Sequence, residues 1–269
     1  MNNHTMRNTF FTPQAVVLVA AILLMPSCKK DDDRPRSSGG GGGGGSGLPS
    51  YLNAALSYGT VTDQDGNSYY TIQIGGQEWM AQNLRTTTYA NGDPIQNVTN
   101  DTQWGGLTTG AWAHYENNGS YENPYGKLYN WYAVADPRNV CPTNWHVPTD
   151  AEWNTLVNYL DPNNGNNGEY SGTAGGMMKS TGTQYWQDTF GFNNESATNE
   201  SGFSGLPGGG RYNDLGGYFG NLSNYLVLWS ASESGAENAW GRYLSASLAG
   251  IDRDANNKRD GLCVRCVRD

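Results

Sequence analysis

The sequence predicts an α+β domain, and three observations predict it. Strand-like runs follow one another from Val61 to Leu84, one capped amphipathic helix covers Asp150 to Leu160, and strand and turn return from Phe203 onward. One or two helices set between groups of antiparallel strands define that class.

The first element is a pair of hairpins. Asp65-Gly66-Asn67 is a turn signal between strand-like runs. Tyr70, Ile72 and Ile74 alternate with Tyr69, Thr71 and Gln73, which predicts one buried face, and Gly75-Gly76 makes the next turn. The helix opens on a capping box, Thr149 with Glu152, after Pro148. Trp153, Leu156, Val157 and Leu160 recur at three- and four-residue spacing and give one apolar stripe, which Asp161-Pro162 ends. A shorter helix is expected around Met177 and Met178. Three strands are expected at Tyr225 to Ser232, Ala239 to Ser247 and Leu262 to Val267. In the last, Leu262, Val264 and Cys266 share a face and Cys263 lies on the other.

The first fifty residues are not part of that domain. Arg7 precedes an apolar run, Ala15 to Leu24, of about ten residues, half of the roughly 20 a membrane span needs. That length fits a secretory signal peptide. Met25-Pro26-Ser27-Cys28 resembles a bacterial lipobox, so residues 1–27 read as a lipoprotein signal peptide and Cys28 as the lipid acceptor. Residues 28–50 are a tether rich in Gly and Ser, with a reach of about 25 Å. The run Lys29-Lys30-Asp31-Asp32-Asp33 resembles the signal after the lipid cysteine in surface-exposed lipoproteins of Bacteroidota. An outer-membrane, lipid-anchored protein displayed at the cell surface is the expectation, with several acyl chains making the anchor stable.

Composition narrows the partners. The formal charge is −9, and removing residues 1–27 removes only Arg7, giving −10. An acidic domain repels phosphate, so nucleic acid is not an expected partner. Residues 51–269 suffice for one well-packed domain. Aliphatic residues are sparse beside 37 Gly, 17 Tyr and 9 Trp, so the core is expected to draw on aromatics. With Cys28 acylated, Cys141, Cys263 and Cys266 remain, and two of them should pair in an oxidising compartment.

No catalytic set is legible. Only His114 and His146 lie in the domain, and His146 between Trp145 and Val147 reads as structural. Paired carboxylates of a glycosidase are defined by their separation in space, which a sequence does not give. Calcium is the cofactor to consider. Asp252, Asp254, Asn256 and Asp260 partly imitate an oxygen-rich loop, but lack its glycine and closing Glu, so a surface turn is expected there. Asp63, Asp65 and Asn67 are explained by the hairpin. Asn199 and Glu200 are the candidate metal ligands. Trp104, Trp112, Tyr115 and Tyr121 in one Gly/Asn-rich stretch, and Tyr212, Tyr218 and Phe219 in another, are candidates for a ligand surface. Flat apolar faces with polar tips suit a carbohydrate.

The blocks VTDQDGNSYYTIQIGGQEWMAQNL, YGKLYNWYAV, CPTNWHVPTDAEW, NESGFSGLPGG and LCVRCVRD, in this order from about Thr60 to Asp269, resemble the Fibrobacter succinogenes major paralogous domain. More distantly, His146 to Trp153 is similar to the Leu-Pro-Thr-Glu-Ala-Glu-Trp block of the formylglycine-generating-enzyme domain, which has a C-type-lectin-like fold. The resemblance implies that fold: few regular elements, long loops and ends close together. It implies a Cys141–Cys266 disulfide, with Cys263 a free thiol or a competitor for Cys141. The reactive cysteine pair of the formylglycine-generating enzymes has no match, so that activity is not expected. The expected function is therefore non-catalytic: a surface-tethered module that binds a glycan or an extracellular protein. A secreted glycan-active enzyme and a structural coat protein are the alternatives.

Overall fold

A computed structural model describes residues 47–269 apart from 166, 188–190, 192 and 215. The expected signal peptide, residues 1–27, and Cys28 lie outside the described residues.

The chain begins with β1 (Gly59–Thr62), β2 (Ser68–Ile74) and β3 (Gln77–Met80). The first turn forms because the Asp63 carboxylate accepts from the amides of Asp65 and Asn67, the Asn67 side chain and the Tyr69 hydroxyl, while Gly66 takes a φ of 84°. An irregular stretch follows, with β4 (Gln96–Asn97), α1 (Asp101–Gly105), β5 (Ala111–Ala113), α2 (Glu122–Tyr125), β6 (Leu128–Tyr129) and α3 (Trp131–Val134). Next come β7 (Trp145–His146), α4 (Asp150–Leu160) and α5 (Ala174–Met178). The rest is β8 (Gly208–Tyr212), β9 (Tyr218–Leu222), β10 (Tyr225–Glu233), β11 (Asn238–Ser245), β12 (Ile251–Asn257) and β13 (Val267–Arg268).

Strands pair mostly antiparallel in three sheets, ordered β1-β2-β3-β13-β7, β12-β11-β10-β8-β9 and β4-β5-β6. The α+β class holds. α4 spans Asp150–Leu160 with both halves of its capping box formed, and buries Trp153, Leu156 and Val157.

Three expectations need correction. Tyr69 and Thr71 are as buried as Ile72 and Ile74, because β2 runs between two hydrophobic clusters. Leu262 to Cys266 is not a regular strand. Leu262 and Tyr129 exchange backbone hydrogen bonds, Cys263 donates to Val227, and Cys266 and Val264 accept from Met80 and Leu84. The segment thus crosses from the second sheet to the first, and only Val267 is ladder-paired on both sides, to Trp79 of β3 and His146 of β7, with Arg268 paired to β7 alone. Its alternation survives: Leu262, Val264 and Cys266 enter one cluster, Cys263 and Val267 the other. Of Asp252, Asp254, Asn256 and Asp260, expected in a surface turn, the first three lie on a strand, Ile251–Asn257, paired along its length with β11, and only Asp260 is in a turn.

Cys141 and Cys266 form a disulfide, and Cys263 is a buried free thiol whose pKa burial pushes up to about 12. The aromatic core is as composition implied: Trp79, Trp104, Trp153, Trp186 and Trp229 are among the largest fully buried side chains.

Buried cations hold the loops together. Arg211 donates to the carbonyls of Gly217, Val98 and Thr99 and pairs with Asp101. Arg242 donates to those of Gly168 and Glu169 and pairs with Asp150. Arg265 reaches the carbonyls of Met80, Phe203 and Ser204. Long loops leave carbonyls without a ladder partner, and a guanidinium with five donors satisfies several at once.

Candidate functional site

The loop carrying Asn199 to Ser204 is built by its own side chains. Asn199 has a φ of 51° and is buried; its amide nitrogen donates to the Tyr51 carbonyl at 3.2 Å and the Ser204 hydroxyl at 3.0 Å. Its amide oxygen accepts from the Ser204 amide at 3.0 Å. Asn199 is therefore a scaffold residue, its side-chain amide engaged by Tyr51 and Ser204. Among the described residues no group of three His, Cys, Asp or Glu side chains is placed to hold a metal.

What the loop presents is Glu200 and Ser201, on the rim of a surface groove of about 210 Å³. Ile72 and Ile74 of β2, with Leu56 and Leu160, give the groove apolar lining, and Gln73 adds an amide that donates to the Gly75 carbonyl at 2.9 Å. Tyr159, in the last turn of α4, is the aromatic member, and 60 % of it is exposed. Its ring lies over Gly75, where a Cβ would come within 2.8 Å of it; Gly75 also has a φ of 59°. Turn geometry and a flat seat for the ring thus require the same glycine. Glu200 is exposed and has no hydrogen bond or ion pair among the described residues. The groove offers an aromatic face, an apolar floor and a carboxylate with hydroxyl and amide neighbours. It is smaller than the roughly 300–1,000 Å³ of sites that enclose a ligand, so it suits one ring of a larger molecule.

The residues chosen from the sequence as a ligand surface are mostly interior. Trp104 is fully buried, with its indole N–H on the Arg259 carbonyl at 2.6 Å and the Arg211 guanidinium 4.4 Å from its ring. Trp112 is buried, with its N–H on the Ile95 carbonyl. Tyr115 packs edge-on against Tyr121 and Phe219. Tyr121 and Tyr212 are half-buried, and burial pushes the Tyr212 phenol up to about 12. Only Tyr218, 66 % exposed, offers an open face, and it lines neither of the two cavities described in this domain. With few aliphatics the chain needs its large rings inside, so Gly/Asn-rich loops wrap aromatics instead of displaying them.

The two histidines are tied to carboxylates. His146 binds Asp269 through Nδ1 at 2.6 Å and Glu152 through Nε2 at 2.7 Å. Burial opposes its charged form, but the hydrogen bonds and charges of both carboxylates raise its pKa above the usual value. It clamps the end of β13 to the start of α4. His114 Nε2 contacts Glu122 at 2.7 Å, and Lys127 reaches the same carboxylate. Asp252 and Asp254 lie on β12 without a further carboxylate to complete an ion site.

A family model described as the Fibrobacter succinogenes major domain matches residues 72–268. No curated protein and no solved structure matches the chain.

Proposed function

The chain belongs to the Fibrobacter succinogenes major domain family, and on that premise we propose that it is a lipid-anchored, surface-displayed module that binds one sugar ring of an extracellular glycan in the Tyr159 groove. The observation that carries this is the Tyr159 ring, exposed over an apolar floor and flanked by the unpaired Glu200. An aromatic face takes the C–H side of a pyranose, and a carboxylate with amide and hydroxyl neighbours takes its hydroxyls. Calcium has no part in this reading. A C-type-lectin-like architecture is supported by β1 and β13, which bring the two ends of the domain into one sheet.

The test is a glycan array with the full chain carrying Cys28→Ser, beside the same protein with Tyr159→Ala. Saturable binding weakened about tenfold by Tyr159→Ala, equivalent to roughly 1.4 kcal/mol, is the expected result. A folded protein that binds no glycan overturns the reading and leaves an extracellular protein as the partner to pursue. The anchor is checked separately: cells fed labelled palmitate should label the chain, and Cys28→Ser should abolish the label and release the chain from membranes. Label retained in that variant refutes lipidation at Cys28.

A further inference from the structure

Lys179, the residue that follows α5, is fully buried. Its Nζ lies 2.7 Å from the Ser245 carbonyl, 2.7 Å from the Leu248 carbonyl and 3.1 Å from the Ser196 hydroxyl, with the Trp186 ring 5.4 Å away. No carboxylate pairs with it among the described residues. Burial alone pushes its pKa down, to about 8. Ser196 lines a second cavity, of about 280 Å³, with Asn193, Glu195, Ala246 and Ser247.

The two carbonyls decide what a neutral Lys179 does. They accept two N–H bonds, and the third direction of the amine, now a lone pair, faces the Ser196 oxygen. A buried amine without a counter-ion, next to a hydroxyl that borders a cavity, is the arrangement in which lysine serves a serine as general base. We propose that Ser196 and Lys179 form a nucleophile and base that cleave short acyl esters of polyhydroxylated alcohols in this cavity. The proposal goes beyond glycan binding and does not depend on it.

The step balances. Lys179 takes the Ser196 proton as Oγ bonds to the acyl carbon; the ester C–O bond breaks, and Lys179 returns the proton to the departing alkoxide. Water then attacks the acyl-serine, giving its proton to Lys179 and through it to the released Ser196 oxygen, so a carboxylic acid and a free enzyme result. The Ser196 amide N–H makes no hydrogen bond among the described residues, and in this proposal it is the donor assigned to the oxyanion. Ala246 suits a small acyl group, while Asn193, Glu195 and Ser247 suit the hydroxyls of the alcohol.

The test uses the full chain and a fluorophosphonate probe, with peptide mapping by mass, and p-nitrophenyl acetate as the turnover substrate. One equivalent of adduct on Ser196 is expected, absent in Ser196→Ala, with turnover about 100-fold lower in that variant. Labelling should rise with pH and level off above about 8, as the amine of Lys179 loses its proton. Glu195, on the same loop, is the other titratable group lining the cavity. Lys179→Met should slow labelling about 100-fold; if that variant does not fold, the pH profile of the unmodified chain decides. Tyr159→Ala should label normally, which separates this site from the glycan groove. No adduct on Ser196, or a rate flat between about pH 6 and 9, overturns the proposal.

Discussion

Cys141→Ala with Cys266→Ala should lower the unfolding free energy by about 4 kcal/mol, within the roughly 2–5 kcal/mol that removing a native disulfide from a small domain costs. The bond joins positions separated by 125 residues, so it restricts most of the unfolded chain. Both cysteines are fully buried in the cluster with Tyr129, Trp145 and Trp229. The bond also joins the approach to β7 directly to the residue before β13, two strands that are paired. In a domain of this size each kcal/mol moves the melting temperature by about 2–4 °C, so a drop of roughly 8–16 °C is expected. The urea m-value should rise, because the unlinked unfolded state is more expanded. A melting temperature within about 2 °C of the parent would show that packing alone fixes this region. Cys263 does not compensate. Its Sγ sits 2.6 Å from where a Gly208 Cβ would be, in the other cluster, and burial keeps it a thiol.

Arg265→Met should cost about 3 kcal/mol, although it keeps the length and apolarity of the stem. The fully buried guanidinium donates to Asn83 Oδ1 at 3.0 Å and to the Met80, Phe203 and Ser204 carbonyls, and lies 4.1 Å from the Phe203 ring centre. Burial pushes its pKa down to about 9, so holding the charge here carries a desolvation cost. Against that stand four acceptors, each costing roughly 1–3 kcal/mol when buried unsatisfied. The acceptors win, because methionine leaves all four without a donor while relieving one charge. Arg265→Lys should recover little, since an ammonium has no planar fork to span residues 80–83 and 203–204. Chemical denaturation of the three proteins checks this, and a methionine variant as stable as the parent would show that water replaces the guanidinium.

The helix at Asp150–Leu160 was legible because its determinants are local: Thr149 and Glu152 cap it, and the spacing of Trp153, Leu156 and Val157 decides its buried side. The Asp63 turn was legible for the same reason. β12 was not. Asp252, Arg253, Asp254, Asn256 and Asn257 carry no strand signal, and the segment is extended because β11 offers a backbone ladder beside it. The ligand surface failed for a physical reason present in the composition: a chain short of aliphatics uses its tryptophans as core wherever they fall. Tyr159 left no signal, since its place over Gly75 joins residues 84 apart in sequence. Lys179, directly after Met177 and Met178, was a faint one: a lone cation at the end of an apolar turn.

The position of β13 bears on the order in which the molecule can be assembled. It lies inside the first sheet, between β3 and β7, yet its residues are synthesised almost 190 positions after β3. Until Val267 has left the ribosome, β3 and β7 have no partner between them, Cys141 has no Cys266, and His146 lacks one of its two carboxylates. Nascent chains therefore remain open along their first sheet, between β3 and β7, until β13 has been made.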